Sequence, residues 1–351
     1  SGNSARYEDL LEAAAQVAVP SVDELDLKSR PGDFSLLGEF VPGVDNLQIT
    51  TGQPLFGCDV RLDGMLYAVF EKCPTFKGKV GEANVEQIRT LPGVTHAFVV
   101  DGTDDPRGLQ SGVAIVARTW WEANSARERL QVRWITDQSD STIDYDQQAK
   151  ALLGETGEVL RSDGDVNAAL GRASDVVEAT YYYPFVSHAN MEPQNCTAHY
   201  RESGQLEFWA PTQHPKSGRE LVSRTLGIPE DRIHVNLTRI GGGFGRRLRN
   251  DFMAEVAWIA REVGQPVQLQ WTREDDMRHD FYRPAGWHRF KAGLDSDGRM
   301  NVFDHHFVTF GADGSPVSGA DISPNHYPAG LVPNFRLRRS LIDTNVPTGP
   351  W

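Results

Sequence analysis

Hydrophobic and polar positions change period several times along this chain, and each change predicts an element. "GMLYAVFEK" (64–72) alternates as a half-buried strand does, and "NVEQIRTLPGV" (84–94) has helical spacing closed by Pro-Gly. "THAFVV" (95–100) and the short apolar run "GVAIVA" (112–117) read as strands. "TWWEANSARERL" reads as a helix capped by Thr119, and "QVRWI" (131–135) as a further strand. Residues 52–136 thus make a small β/α block. Residues 1–51 are a lead-in, a short helix from Tyr7 to Val17 followed by a Pro- and Asp-rich connector. The polar run "TDQSDSTIDYDQQ" places a linker over 137–153.

A second block runs over 154–351. "SDVVEATYYYPFV" is a strand, and "CTAHYRESGQLEFWA" is two strands turning at Glu202–Gln205. "HPKSGRELVSRTLG" is a helix ending at Gly227, and "RIHVNLTRI" is the strand after it. A glycine loop, a helix over Asp251–Val263 and the strand "PVQLQW" follow. "HRFKAGLDSDGRMNVFDHHF" is a hairpin turning on Asp295–Gly298, with His305 and His306 on opposite faces. Strands mixed with helices in this order give an α+β (mixed α/β) class.

Composition narrows the function. The 351 residues carry a formal net charge of −13, a field that repels phosphate backbones, so no nucleic-acid partner is expected. Cys58, Cys73 and Cys196 are scattered, which speaks against a disulfide framework or a thiolate metal site on this chain. No protein metal ligand is assigned.

Candidate chemistry centres on "GGGFGRRLRNDF" (241–252). Glycines permit positive φ and close backbone approach, and successive N–H groups form a concave donor array, with the following helix adding its dipole. The spacing fits neither G-x-G-x-x-G nor the P-loop. A tight strand–helix turn with no ligand is the competing reading. Upstream, Thr212 and Gln213 sit at a strand-to-helix junction after Pro211. There a neutral amide can donate to an oxygen ligand without adding charge. Both features project from one edge of the same sheet.

These residues carry a resemblance. "PTQHPKSGRELVSRTLGIPEDRIHVNLTRIGGGFGRR" with "AEVAWIAREVGQPVQLQWTREDDMRHDFYRP" resembles the molybdenum-binding subunit of the xanthine dehydrogenase / aldehyde oxidase family. "GGGFGRRLRNDF" and "HANMEPQNCTA" resemble its isoquinoline 1-oxidoreductase beta-subunit branch, and "TGQPLFGCDVRLDGMLYAVFEKCP" resembles its α/β hammerhead domain. The resemblance implies a hammerhead domain followed by part of a molybdopterin-binding domain. It implies molybdenum held by a molybdopterin, in its cytosine dinucleotide form. Gln213 would bond an oxo ligand, and Gly242, Gly243, Phe244 and Gly245 would lie against the cofactor.

Phe244 would wall the substrate funnel. Leu248 stands where purine-oxidising members have a Glu, which favours an aldehyde or N-heteroaromatic, and Arg283 matches a substrate-orienting position. An arginine beside aromatics also serves as a surface cation–π packer. Arg246 and Arg247 pair with cofactor phosphate or solvate the helix start; both readings stand. His188, Met191 and Glu192 shape the pocket floor. No catalytic residue is assigned on this chain, because the family's general-base Glu is expected C-terminal to it. The resemblance further implies a small [2Fe–2S] partner subunit, an electron acceptor such as a cytochrome, and a periplasmic or membrane-associated location. The 351 residues alone are expected neither to retain the cofactor nor to turn over substrate. A non-catalytic pterin-binding or assembly relative, and a phosphate- or nucleotide-binding α/β protein, are the alternatives.

Overall fold

The computed structural model describes residues 4–103, 105, 107–136 and 142–351. The chain separates into two units, one ending at Gln53 and one spanning Pro54–Trp351. The first holds a 3-10 turn at Glu8–Leu10 continuing into a helix at Leu11–Ala15, and a helix at Asn46–Thr50, with its apolar side chains largely exposed.

The second unit contains fifteen described strands: β1 (Leu66–Lys72), β2 (Lys79–Ala83), β3 (Val94–Val100), β4 (Gly112–Ala117), β5 (Val132–Ile135), β6 (Glu158–Asp163), β7 (Asp175–Tyr183), β8 (Asn195–Tyr200), β9 (Leu206–Ala210), β10 (Ile233–Leu237), β11 (Val267–Gln270), β12 (Gly286–Leu294), β13 (Met300–Ala312), β14 (Ser315–Pro316) and β15 (Asn334–Asp343). A seven-stranded sheet has the order β10-β9-β8-β11-β1-β4-β3. β1 pairs in parallel with β11, Leu66 opposite Val267, so the two blocks that the sequence separates share one sheet. Alternate residues of β1 and β4 point to opposite cores. Ala68, Phe70, Ala114 and Val116 pack with the helix Asp251–Val263, whereas Val69, Val113 and Ile115 meet Ala123 and Ala126 of the helix Trp120–Arg127. Burial on both faces explains why β4 is apolar throughout.

The second sheet has the order β6-β15-β13-β12-β7. One face packs on the helices Thr142–Leu153 and Val166–Arg172 through Tyr145, Ala149, Val166 and Ala169. The other carries an aromatic layer in which His288 stacks on Phe307 at 4.2 Å and His305 lies 4.4 Å from Phe290. His305 and His306 do point to opposite faces; His305 faces His288, and His306 bonds Ser340 on β15.

The expected linker over 137–153 resolves differently along its length. Residues 137–141 lie outside the described residues, while Thr142–Leu153 is a helix. β6, the helix Val166–Arg172 and β15 also went unassigned in the sequence, because their polar faces interrupt the apolar periodicity.

Candidate functional site

β9, the helix Pro215–Leu226 and β10 form a parallel βαβ crossover, with Leu237 opposite Ala210. The segments leaving β9 and β10 therefore emerge at one sheet edge, the usual ligand-binding edge of α/β sheets. Gln213 follows β9 and the glycine loop follows β10. They touch: the Gly245 N–H donates to Gln213 Oε1 at 3.2 Å, and the Gln213 N–H donates to the Arg247 carbonyl at 3.0 Å.

The loop backbone is unusual in three ways. Gly242 and Gly245 have φ of 104°, and Phe244 has φ of 53°, a region costly for a bulky residue. A Cβ on Gly245 would overlap the Pro350 carbonyl at a positive φ, so that position needs glycine, whereas one on Gly243 would stand 2.5 Å from Gln213 Oε1 and displace that side chain. Among the described residues, the N–H groups of Gly242, Gly243 and Phe244 have no acceptor, and neither does the Gln213 carboxamide nitrogen. Four donors thus stand free on an open edge. Phe244 is 61% exposed beside them, and Met191 is 88% exposed.

A rigid substructure holds the loop from beneath. The Glu192 carboxylate accepts four hydrogen bonds. Oε1 takes the Cys58 N–H at 3.2 Å and the Asn195 amide at 2.9 Å. Oε2 takes the Gly241 N–H at 2.8 Å and Arg247 at 3.1 Å. Arg247, fully buried, also donates to the carbonyls of Gly242, Pro211 and Glu192. Arg246 is buried too, bidentate to Asp251 at 2.9 Å and in ionic contact with Asp280 at 3.0 Å.

Asp280 also accepts from Ser187 and from the His188 backbone and ring. Burial opposes its charge, but the His188 bond and the Arg246 guanidinium outweigh burial and hold the carboxyl below its usual range. The other nitrogen of His188 faces the Pro350 carbonyl at 3.0 Å, and the ring stacks on Trp351 at 4.7 Å. Deeper still, Lys72 pairs with Glu255 at 2.9 Å against the Trp271 ring, and burial pushes the Glu255 carboxyl up to about 7.

Most sequence-derived site residues converge here: Gln213, Gly242, Gly243, Phe244 and Gly245 form the donor edge. Two expectations change. Neither Arg246 nor Arg247 reaches a phosphate or solvates a helix start, because buried carboxylates and backbone carbonyls take both guanidinium groups. The helix after the loop begins only at Asp251, after a 3-10 turn at Arg246–Leu248, and that acid sits in its first turn. Its dipole therefore does not lie directly behind the glycines. Leu248 is half-buried, and Arg283 is exposed, 5.2 Å over the Tyr183 ring. Sequence reasoning missed Asp251 and Asp280; nothing in their spacing ties them to Arg246.

The donor edge tests well for an anionic, oxygen-rich group. Its unpaired N–H groups and the buried, unpartnered amide of Asn190, a residue packed beside Gly242, leave hydrogen-bonding capacity unspent. An α/β sheet whose parallel strands present such a loop and carboxamide at one edge defines a cofactor-binding domain. Residues 153–349 match the model of the molybdopterin cofactor-binding domain, and the chain belongs to that family.

Its relatives agree. It is 30% identical over 308 residues to isoquinoline 1-oxidoreductase subunit beta of Brevundimonas diminuta, covering 83% of this chain and 38% of that protein. It is 27% identical to a membrane-bound aldehyde dehydrogenase [pyrroloquinoline-quinone] of Gluconacetobacter polyoxogenes, covering 86% of this chain and 41% of that one. Quinoline 2-oxidoreductase from Pseudomonas putida 86 shares the fold, with a TM-score of 0.67 at 20% identity over 89% of this chain and 45% of the other. The chain thus spans less than half the length of these relatives.

Proposed function

We propose that this chain is part of a molybdenum hydroxylase subunit that oxidises an aldehyde or an N-heteroaromatic, drawing oxygen from water. The observation that carries the reading is the row of free N–H groups at Gly242, Gly243 and Phe244 beside the free carboxamide nitrogen of Gln213. When bound, a molybdenum-bearing pterin supplies the two-electron oxidation. The chain supplies position. Gln213 donates to a cofactor oxygen while its own Oε1 is fixed by Gly245, so the amide cannot rotate away without losing that bond. Phe244 offers an apolar wall to a flat substrate. Half-buried Leu248 adds no charge, which suits a substrate without purine-like polarity. Arg283 stays a candidate for orienting substrate from its stack on Tyr183.

The proposal includes a cofactor in the cytosine dinucleotide form, a small [2Fe–2S] partner subunit and a cytochrome as electron acceptor, as the sequence resemblance implies; the name of the Brevundimonas relative, a subunit beta, supports a multi-subunit enzyme. The test is Gln213→Leu in the complete subunit, isolated with its partner. Molybdenum content should persist while aldehyde or N-heteroaromatic oxidation falls about 10²-fold, the usual cost of one donor aimed at developing charge. Unchanged turnover at full molybdenum loading rejects the assignment of Gln213. Binding of inorganic phosphate at the loop, abolished by Gly243→Ala, would instead favour the phosphate-binding alternative.

A further inference from the structure

The helix-covered face of the six-stranded sheet carries an array of charges that the proposed chemistry does not use. Strand register aligns Glu178, Lys291, Asp304 and Arg336 across β7, β12, β13 and β15, and aligns Arg289, His306 and Arg338 in the next row. Four cations there face two carboxylates. Asp304 is buried and already saturated, with Arg336 at 3.0 and 2.8 Å and Arg338 at 2.9 Å. Arg289 is taken up by Glu178 and the Leu153 carbonyl.

The remaining donors are only partly engaged. Among the described residues, Nη1 of Arg336 has no acceptor, and Lys291 Nζ makes only a long ion pair, 3.5 Å to a Glu178 carboxylate that Arg289 already engages. These groups line a cavity of about 190 Å³ closed on one side by Asn167 and Leu170. The surplus is two positive charges in a concavity of a chain whose net charge is −13. Like charges gathered at partial burial repel unless an anion joins them.

We propose that this cavity binds a tetrahedral dianion of the phosphate class. The guanidinium and ammonium donors lining it suit an oxyanion with several acceptor oxygens. A whole nucleotide does not fit, so the occupant is the free ion or the terminal phosphoryl group of a monoester whose remainder lies outside. The site is on a different sheet from the strands that carry the glycine loop, and it stands whether or not the cofactor reading holds.

The experiment is calorimetric titration of the full chain with inorganic phosphate, sulfate, phenyl phosphate and acetate at constant ionic strength, repeated on Lys291→Met and Arg336→Gln. Phosphate and sulfate should bind saturably at one site, acetate should not, and each substitution should weaken binding about tenfold, the usual worth of one charged hydrogen bond. Lys291→Met leaves the Asp304 cluster intact, so it stays informative if Arg336→Gln misfolds. Phenyl phosphate binding as tightly as phosphate identifies a monoester as the source, and weaker binding identifies the free ion. Absence of saturable binding by phosphate and sulfate, equal binding by acetate, or affinity indifferent to Lys291→Met overturns the proposal.

Discussion

Replacing Glu192 with glutamine keeps its shape and removes one property, the ability of both oxygens to accept. In the folded chain four donors converge on that carboxylate, two on each oxygen. A carboxamide can serve only one of those pairs, and its NH₂ would point at the other two donors. Arg247, fully buried, would also lose the carboxylate it pairs with at 3.1 Å. Breaking a buried pair by removing one charge typically costs about 3–5 kcal/mol, because the other charge stays buried and uncompensated. Total stabilities of about 5–15 kcal/mol make that a large fraction. Urea unfolding followed by tryptophan fluorescence measures it, and a lower midpoint at unchanged slope marks a pure stability loss. A double-mutant cycle with Arg247→Met should give a coupling energy of at least about 1.5 kcal/mol, as contacting charged residues do. If Glu192→Gln unfolds within about 1 kcal/mol of the parent, the carboxylate is not the clamp that the geometry describes.

Gly245→Ala should destabilise by about 2 kcal/mol or more, since a Cβ at φ 104° also meets the Pro350 carbonyl; a thermal midpoint equal to the parent's refutes it. Phe244→Gly removes a bulky residue from positive φ and should leave stability unchanged or raised by up to about 1 kcal/mol, while weakening selection for flat apolar substrates; the paired readouts are denaturation and substrate KM. The half-buried His288 ring and the buried His305 ring are held down to about 4 and about 3, chiefly by desolvation. Their folded values lie below the unfolded 6.5, so the unfolded chain binds more protons, and their contribution is full above that pH and lost as pH falls toward 4. The double variant His288→Phe/His305→Phe should flatten the fall in thermal midpoint over that window. An equally steep fall assigns the effect to other groups.

Much of this arrangement is legible in the sequence wherever one residue type does one local job. The helix Asp251–Val263 has a strong apolar stripe and a glycine stop, and it appears with those bounds. Thr119 caps its helix through the Glu122 N–H, as Ser/Thr before an apolar run predicts. Gln213 and the glycines stand together because consecutive parallel strands end at one edge. What stays hidden is pairing at a distance. Arg246 and Arg247 look like surface cations until Asp251 of the next helix and Asp280 and Glu192 of two distant segments meet them. β15 hides for the same reason, because Arg336 and Arg338 interrupt its apolar rhythm and find Asp304 only across the sheet.

The parallel seam between β1 and β11 has a consequence for how this chain comes to be made. During synthesis β1 and β4 emerge early, yet the partner that completes their sheet follows only after roughly two hundred further residues, a long-range closure of the kind that slows folding. Until then the edge of β1 that will take β11 stands open to any passing strand. Nascent chains stalled before residue 267 should accordingly be captured by holdase chaperones, and those stalled well beyond it released.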